Sequence, residues 1–226
     1  MVTRNRFLLA GIGAAASAGL GPFPVDAATV PARMTAAQAI EELRAGYHRY
    51  RNDQTVHTGH SARREETAAK QHPFAVVLSC SDSRVPPEIL FDQGIGDLFV
   101  IRVAGNVADV VGIGSIEYAI AHFACPLVVV LGHTNCGAVK AAVDALGSHH
   151  AAPGHIQAIV DAILPSAEVA RREPGDVYLN ATKANAIAVA EKLRTTEPII
   201  APAAQANRLR VAALLYSLQT GSVTPL

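Results

Sequence analysis

Three short apolar runs constrain this chain more than any other feature: Phe74-Ala75-Val76-Val77-Leu78, Leu98-Phe99-Val100-Ile101 and Leu127-Val128-Val129-Val130-Leu131. Each has the length of a strand, is rich in Val, Ile and Leu, and does not alternate with polar residues. A strand with one wet face alternates. A strand that is apolar throughout must be covered on both faces, as in a parallel sheet held between helices. The intervening stretches supply those helices. Thr35 can cap a helix running to about residue 51, with Ala39, Ile40, Leu43, Tyr47 and Tyr50 at helical spacing. Residues 115–123, 136–146, 156–164 and 181–193 read as further helices, and residues 210–218 as a fourth strand ahead of the turn Thr220-Gly221. The polar stretch 52–72 has no apolar period and reads as a loop or weak helix. This alternation predicts an α/β domain, a mostly parallel central β-sheet flanked by α-helices.

Over 226 residues, 19 Lys and Arg balance 19 Asp and Glu. A zero net charge argues against a dedicated nucleic-acid binder, which carries a basic excess. An apolar half excludes a disordered chain. Three cysteines, at 80, 125 and 136, do not make a disulfide framework. The N-terminus reads as an address. Arg4 and Arg6 precede an uncharged stretch from Phe7 to Leu20, and Val25-Asp26-Ala27 has the small-residue pattern of a signal-peptidase site. Thr3-Arg4-Asn5-Arg6-Phe7-Leu8-Leu9 resembles a twin-arginine export signal, with Asn5 splitting the pair. The expected division is a signal peptide over 1–27 and one domain over 28–226, exported to a bacterial periplasm. An uncleaved anchor or an N-terminal helix is the other reading. No second apolar run reaches membrane length, so no stable membrane insertion is expected after processing. Thiols that stay reduced in an oxidising compartment need something to hold them, and a metal would do so.

The first apolar run leads into Cys80-Ser81-Asp82-Ser83-Arg84, the third into Gly132-His133-Thr134-Asn135-Cys136. Ligands of open α/β sheets bind beyond the carboxyl ends of the strands, so the two clusters can meet there. Two thiolates and an imidazole suit zinc, and three protein ligands leave a tetrahedral position open for catalysis. On spacing alone, two buried core thiols beside a turn histidine fit equally well. Asp82 and Arg84 alternate with Cys80 and share its face in extended backbone. They form either a site dyad or an ordinary loop ion pair. The pair His149-His150 lies in a Gly- and Pro-rich surface loop. Cys125, at a helix end, reads as a buried structural thiol.

Cys80-Ser81-Asp82-Ser83-Arg84 followed by Gly132-His133-x-x-Cys136-Gly137 resembles the β-class carbonic anhydrases. The likeness runs through Phe91-Asp92-Gln93-Gly94, Arg102-Val103-Ala104-Gly105-Asn106, Gly114-Ser115-Ile116-Glu117-Tyr118-Ala119 and Tyr216-Ser217-Leu218-Gln219-Thr220-Gly221, covering roughly residues 35–223. The resemblance implies one zinc ion held by Cys80, His133 and Cys136, and reversible hydration of CO2 to bicarbonate and a proton by zinc-bound hydroxide. It makes Asp82 and Arg84 the dyad beside the metal, with Asp82 a fourth ligand in closed forms. Gln71, Phe99 and Tyr118 match substrate-pocket positions, Gln71 reaching across a dimer interface, and His122 matches a proton-shuttle position. Each has a plainer reading: Phe99 as strand core, Tyr118 and His122 as neighbours one turn apart on an amphipathic helix. Val77 stands where the bicarbonate-inhibited branch carries Trp, which this chain lacks, and this implies the plant-like, open subtype. A homodimer or higher homo-oligomer follows from the family. Hydrolysis of CS2 or COS on the same scaffold, or a non-catalytic zinc-binding protein, are the rival functions.

Overall fold

A computed structural model describes residues 34–148 and 151–226. The export signal read over 1–27 and the pair His149-His150 lie outside the described residues. In chain order the elements are α1 (Ala36–Arg51), α2 (His60–Thr67), β1 (Ala75–Ser79), α3 (Pro87–Leu90), β2 (Leu98–Arg102), a 3-10 turn (Ala104–Asn106), α4 (Val110–Phe123), β3 (Leu127–His133), α5 (Gly137–Ala145), α6 (Ile156–Ala170), α7 (Val177–Arg194), α8 (Ile200–Gln205), β4 (Arg210–Tyr216) and β5 (Val223–Pro225). The strands form one sheet in the order β2-β1-β3-β4-β5. The first four are parallel, and β5 returns antiparallel along β4. The α/β architecture expected from the apolar runs is the one observed.

Residue alternation divides the central strands between two cores, because successive side chains point to opposite faces. Val76, Leu78, Val128 and Val130 pack with Ile116 and Ile120 of α4, Ala186 and Leu193 of α7 and Ile200 of α8. Ala75, Val77, Leu127 and Val129 face the other way, against Ala39 and Leu43 of α1 and Leu90 and Phe91. Every residue of β1 and β3 is buried, as unalternating runs require. The edge strand β2 is only partly buried. α1 sits close because Gly46 faces the Phe91 carbonyl, where a Cβ would lie 1.7 Å from the oxygen.

The boundaries differ from the sequence reading where tertiary packing outweighs local signals. α4 begins at Val110, through Gly112 and Gly114, because the Asp109 carboxylate accepts from the Gly112 N–H at 2.7 Å. α6 continues past Pro165, where proline signals a stop. It does so because Ser166, Ala167 and Ala170 are buried beyond it. α2 forms inside the polar stretch with no buried residue. β5 is three residues long and mostly exposed, too short for a periodic signal.

Candidate metal centre

β1 and β3 are neighbours, with Ser79 opposite Leu131. The residue after β1 and the last residue of β3 therefore emerge side by side. Cys80 follows Ser79 directly, and His133 ends β3. Asn135, at φ 56°, lets the chain turn back so that Cys136 stands as the N-cap residue immediately before α5. A third apolar cluster, including Val139, Ile163 and Ala167, closes over both cysteines.

The three side chains converge. The Sγ atoms of Cys80 and Cys136 are 3.9 Å apart. They and a His133 ring nitrogen all lie within 4.8 Å of one another, and all three residues are buried. His133 Nδ1 is 2.9 Å from the Thr134 carbonyl oxygen. Donation from Nδ1–H to that oxygen leaves the Nε2 lone pair free. Nε2 is buried and has no hydrogen-bond partner. A buried imidazole nitrogen without a partner, aimed between two thiols, is costly unless something electrophilic occupies the space between them. The residues therefore fit a divalent metal ion.

The hydrogen bond from Cys136 lowers the pKa of Cys80, burial opposes this, and the Gly105 amide reinforces it. The same hydrogen bond raises Cys136, and burial pushes it further up. Two sulfurs so close, with a backbone amide on one of them, suit a cation between them.

Asp82 and Arg84 lie beside this cluster. The Asp82 carboxylate accepts from Arg84 Nε at 2.9 Å, Nη2 at 2.7 Å and the backbone N–H at 3.0 Å. Those bonds hold its pKa well below the usual carboxylate range, against partial burial. Its Oδ2 is 3.9 Å from His133 Nε2. Both Asp82 oxygens are thus engaged by Arg84.

Three supports escape a sequence reading because their partners are distant in the chain. Arg102, at the end of β2, donates to the carbonyls of Cys80 at 3.1 Å and Asp82 at 2.5 Å, pinning the turn that bears both side chains. The Gly105 N–H points at Cys80 Sγ, 3.3 Å away. Thr134 ties the His133–Cys136 turn to the chain after β4: its N–H donates to Tyr216 O and its hydroxyl accepts from the Leu218 N–H, both at 2.9 Å. Arg102, Gly105 and the Tyr216–Gly221 block all fall within stretches that carry the family resemblance, and that was the available signal.

The remaining site positions lie elsewhere. Phe99 is opposite Val76, three residues before the end of β2, or roughly 10 Å back from it at ~3.3 Å per residue. It packs with Tyr118 and Phe123, ring centroids 6.3 and 6.1 Å away. Tyr118 stacks on the exposed His122 at 4.2 Å. Gln71 is exposed on the segment entering β1 at its amino end. Phe99, Tyr118 and His122 thus form a ring cluster of their own on β2 and α4. Val77 is buried in the face toward α1.

The comparisons agree with this geometry. The family model described as carbonic anhydrase matches residues 75–223. A carbonic anhydrase of Mycolicibacterium smegmatis is 45% identical over 135 residues, 59% of this chain and 66% of that protein. The carbonic anhydrase of Pseudomonas aeruginosa is 32% identical over 203 residues, 83% of this chain and 87% of that one. The alignment thus spans just under two thirds of the mycobacterial relative and most of the pseudomonad one. A solved Coccomyxa β-carbonic anhydrase in complex with acetazolamide superimposes with TM-score 0.65 at 26% identity, covering 74% of this chain and 77% of that one. A tetrameric β-carbonic anhydrase of Sordaria macrospora shares the fold, with TM-score 0.65 at 24% identity over 84% of this chain and 94% of that one. An α/β sheet that gathers two cysteines and a histidine beyond its central strands defines a metal-binding class. Within that class, this chain belongs to the β-class carbonic anhydrases.

Proposed function

We propose that this chain is a zinc enzyme that hydrates CO2 reversibly to bicarbonate and a proton. The observation that carries the reading is the unpartnered, buried His133 Nε2 beside two thiols 3.9 Å apart. Two sulfurs bound to one tetrahedral zinc at about 2.3 Å stand roughly 3.8 Å from each other. Cys80, His133 and Cys136 would hold the ion, two soft donors and one imidazole. Bound there, zinc would supply the Lewis acidity that makes water a nucleophile near neutral pH.

The chain's own residues do the rest. Asp82 would accept a hydrogen bond from the attacking oxygen and so turn that oxygen's lone pair toward the carbon of CO2. Arg84 keeps Asp82 ionised and fixes its direction through paired hydrogen bonds. With both oxygens engaged by Arg84, Asp82 is drawn away from the fourth metal position, which favours the open form. Reaction of CO2 with water yields bicarbonate and one proton, and the proton must leave to solvent. Measurement of CO2 hydration by stopped flow, with zinc content determined on the same sample, tests the reading. Turnover proportional to zinc supports it; a fully metallated protein without hydration activity contradicts it.

A homo-oligomer completes the pocket in this proposal. The β2 edge is open, and Val110, Val111 and Tyr118 on α4 are 83%, 72% and 50% exposed. A second copy seated there would bring its Gln71, Phe99 and Tyr118 toward this chain's metal site, with Gln71 donating to a substrate oxygen, the rings forming an apolar wall and His122 passing protons to solvent. Sedimentation of the wild type and of Val111→Glu tests this. A monomeric wild type that is fully active contradicts it. Among the described residues no helix is long and apolar enough to cross a membrane. Export directed by residues 1–27 is part of the proposal, and the mass of the protein recovered from the periplasm checks cleavage after Ala27.

A further inference from the structure

The 3-10 turn that carries Gly105 is held from behind by α7. The buried side chain of Asn185 donates from Nδ2 to the Gly105 carbonyl at 2.8 Å. Seven residues further along the same helix, Lys192 Nζ donates to the Ala108 carbonyl at 2.8 Å. Two turns of one helix thus fasten the segment leading from β2 to α4. Gly105 itself has φ 69°, and a Cβ there would lie 2.5 Å from Ile163 Cδ1. Its N–H reaches Cys80 Sγ at 3.3 Å. The carbonyl that Asn185 holds belongs to the peptide following that amide, so the two hydrogen bonds fix one residue from both sides.

Asn185 stands out against its helix. Ala181, Ala186, Val189, Ala190 and Leu193 around it are apolar and buried. An amide is costly among them unless its hydrogen bonds are made, and Ala or Leu would favour the helix more. The Gly105 N–H falls to Cys80, beside the Asp82 amide, whereas Cys136 faces the amides of Ala138 and Val139 at the start of α5. A thiolate that accepts a hydrogen bond competes better for metal against protons and donates less charge to it. Less donation leaves the ion a stronger Lewis acid, which matters in a site whose two thiolates already cancel its charge.

We propose that Asn185 is a positioning residue of the metal centre, acting through Gly105 to keep a hydrogen bond on the Cys80 sulfur and so tuning how tightly and how acidically the ion is held. This rests on the assignment of Cys80, His133 and Cys136 as metal ligands. The experiment uses cadmium and cobalt as probes of the site. In cadmium-loaded wild type, the Gly105 amide proton should show a scalar coupling to the metal through the Cys80 sulfur. In Asn185→Leu that coupling should vanish, and metal release to a chelator should accelerate roughly 10- to 100-fold. In the cobalt-loaded variant, the thiolate-to-metal charge-transfer band should move to lower energy. Lys192→Met removes the other fastening and should leave coupling, release and band as in wild type. Asn185→Ala, which keeps helix propensity, repeats the test should the leucine fail to fold. A coupling absent from wild type with both cysteines bound, or unchanged in either Asn185 variant, overturns the proposal while leaving the enzyme reading intact. Failure of wild type to bind either metal through the cysteines overturns both.

Discussion

Cys80 and Cys125 are about equally hidden from solvent, at 5% and 2% exposure, yet their chemistry diverges. Cys125 lies where α4 gives way to β3, donates to the Pro73 carbonyl at 3.2 Å, and has its thiol pushed up to about 12 by burial. Cys80 lies at the opposite end of the sheet, where a second thiol, an imidazole and a backbone amide converge on it and drive its pKa down. Burial alone makes a cysteine inert; burial among donors makes it a ligand. The amino end of the sheet is a hydrophobic anchor, and the carboxyl end, where chain segments diverge between neighbouring strands, is where polar groups meet.

The largest expected effect separates these two ends. Cys80→Ser or His133→Ala should lose the metal and hydration activity with it, whereas Cys125→Ala should retain both and lose only about 1 kcal/mol of stability. Metal analysis and a hydration assay on the three variants check this, and equal metal loss in all three would erase the distinction. Asp82→Ala should lower turnover by roughly 100-fold with metal retained, as expected when the hydrogen-bond acceptor that orients the attacking oxygen is lost. Arg84→Ala should lie between that variant and wild type, because the carboxylate remains but loses the two hydrogen bonds from the guanidinium. An effect on stability alone belongs to Asp92, which pairs with Arg49 of α1. Burial pushes Asp92 up, but Thr55, Arg49 and the Val56 N–H outweigh it and bring it down to about 2. A carboxyl held below its unfolded value of 3.8 stabilises the fold fully above about pH 4 and loses that contribution as pH falls through about 2. Asp92→Asn should therefore be about 2 kcal/mol less stable than wild type at pH 7, with the difference closing near pH 2. Urea midpoints measured across that range report it.

What could be read from the chain followed what is local. The unalternating runs give β1, β2 and β3 to within a residue or two at their carboxyl ends, because a doubly covered strand writes its burial into consecutive residues. The triad and the Asp82–Arg84 dyad are readable because each residue lies within five residues of a strand end. α2 and β5 bury almost nothing, so no apolar pattern marks them. The clamp of Arg102 on Cys80 and Asp82, and of Asn185 on Gly105, is invisible in spacing: 22 residues separate Arg102 from Cys80, and 80 separate Asn185 from Gly105. Only the register of β1 against β2, and the packing of α7 over the turn, bring those groups together. Phe99, Tyr118 and His122 teach the converse. Their matching positions suggest one pocket with the cysteines, yet the parallel register sets Phe99 well back from the strand end.

X-ray absorption at the zinc edge of the purified protein is the most direct test of the metal centre. Two sulfur neighbours at about 2.3 Å together with an imidazole nitrogen near 2.0 Å, lost on Cys80→Ser and kept on Cys125→Ala, are expected. A first shell without sulfur, or one unchanged when Cys80 is replaced, would contradict it.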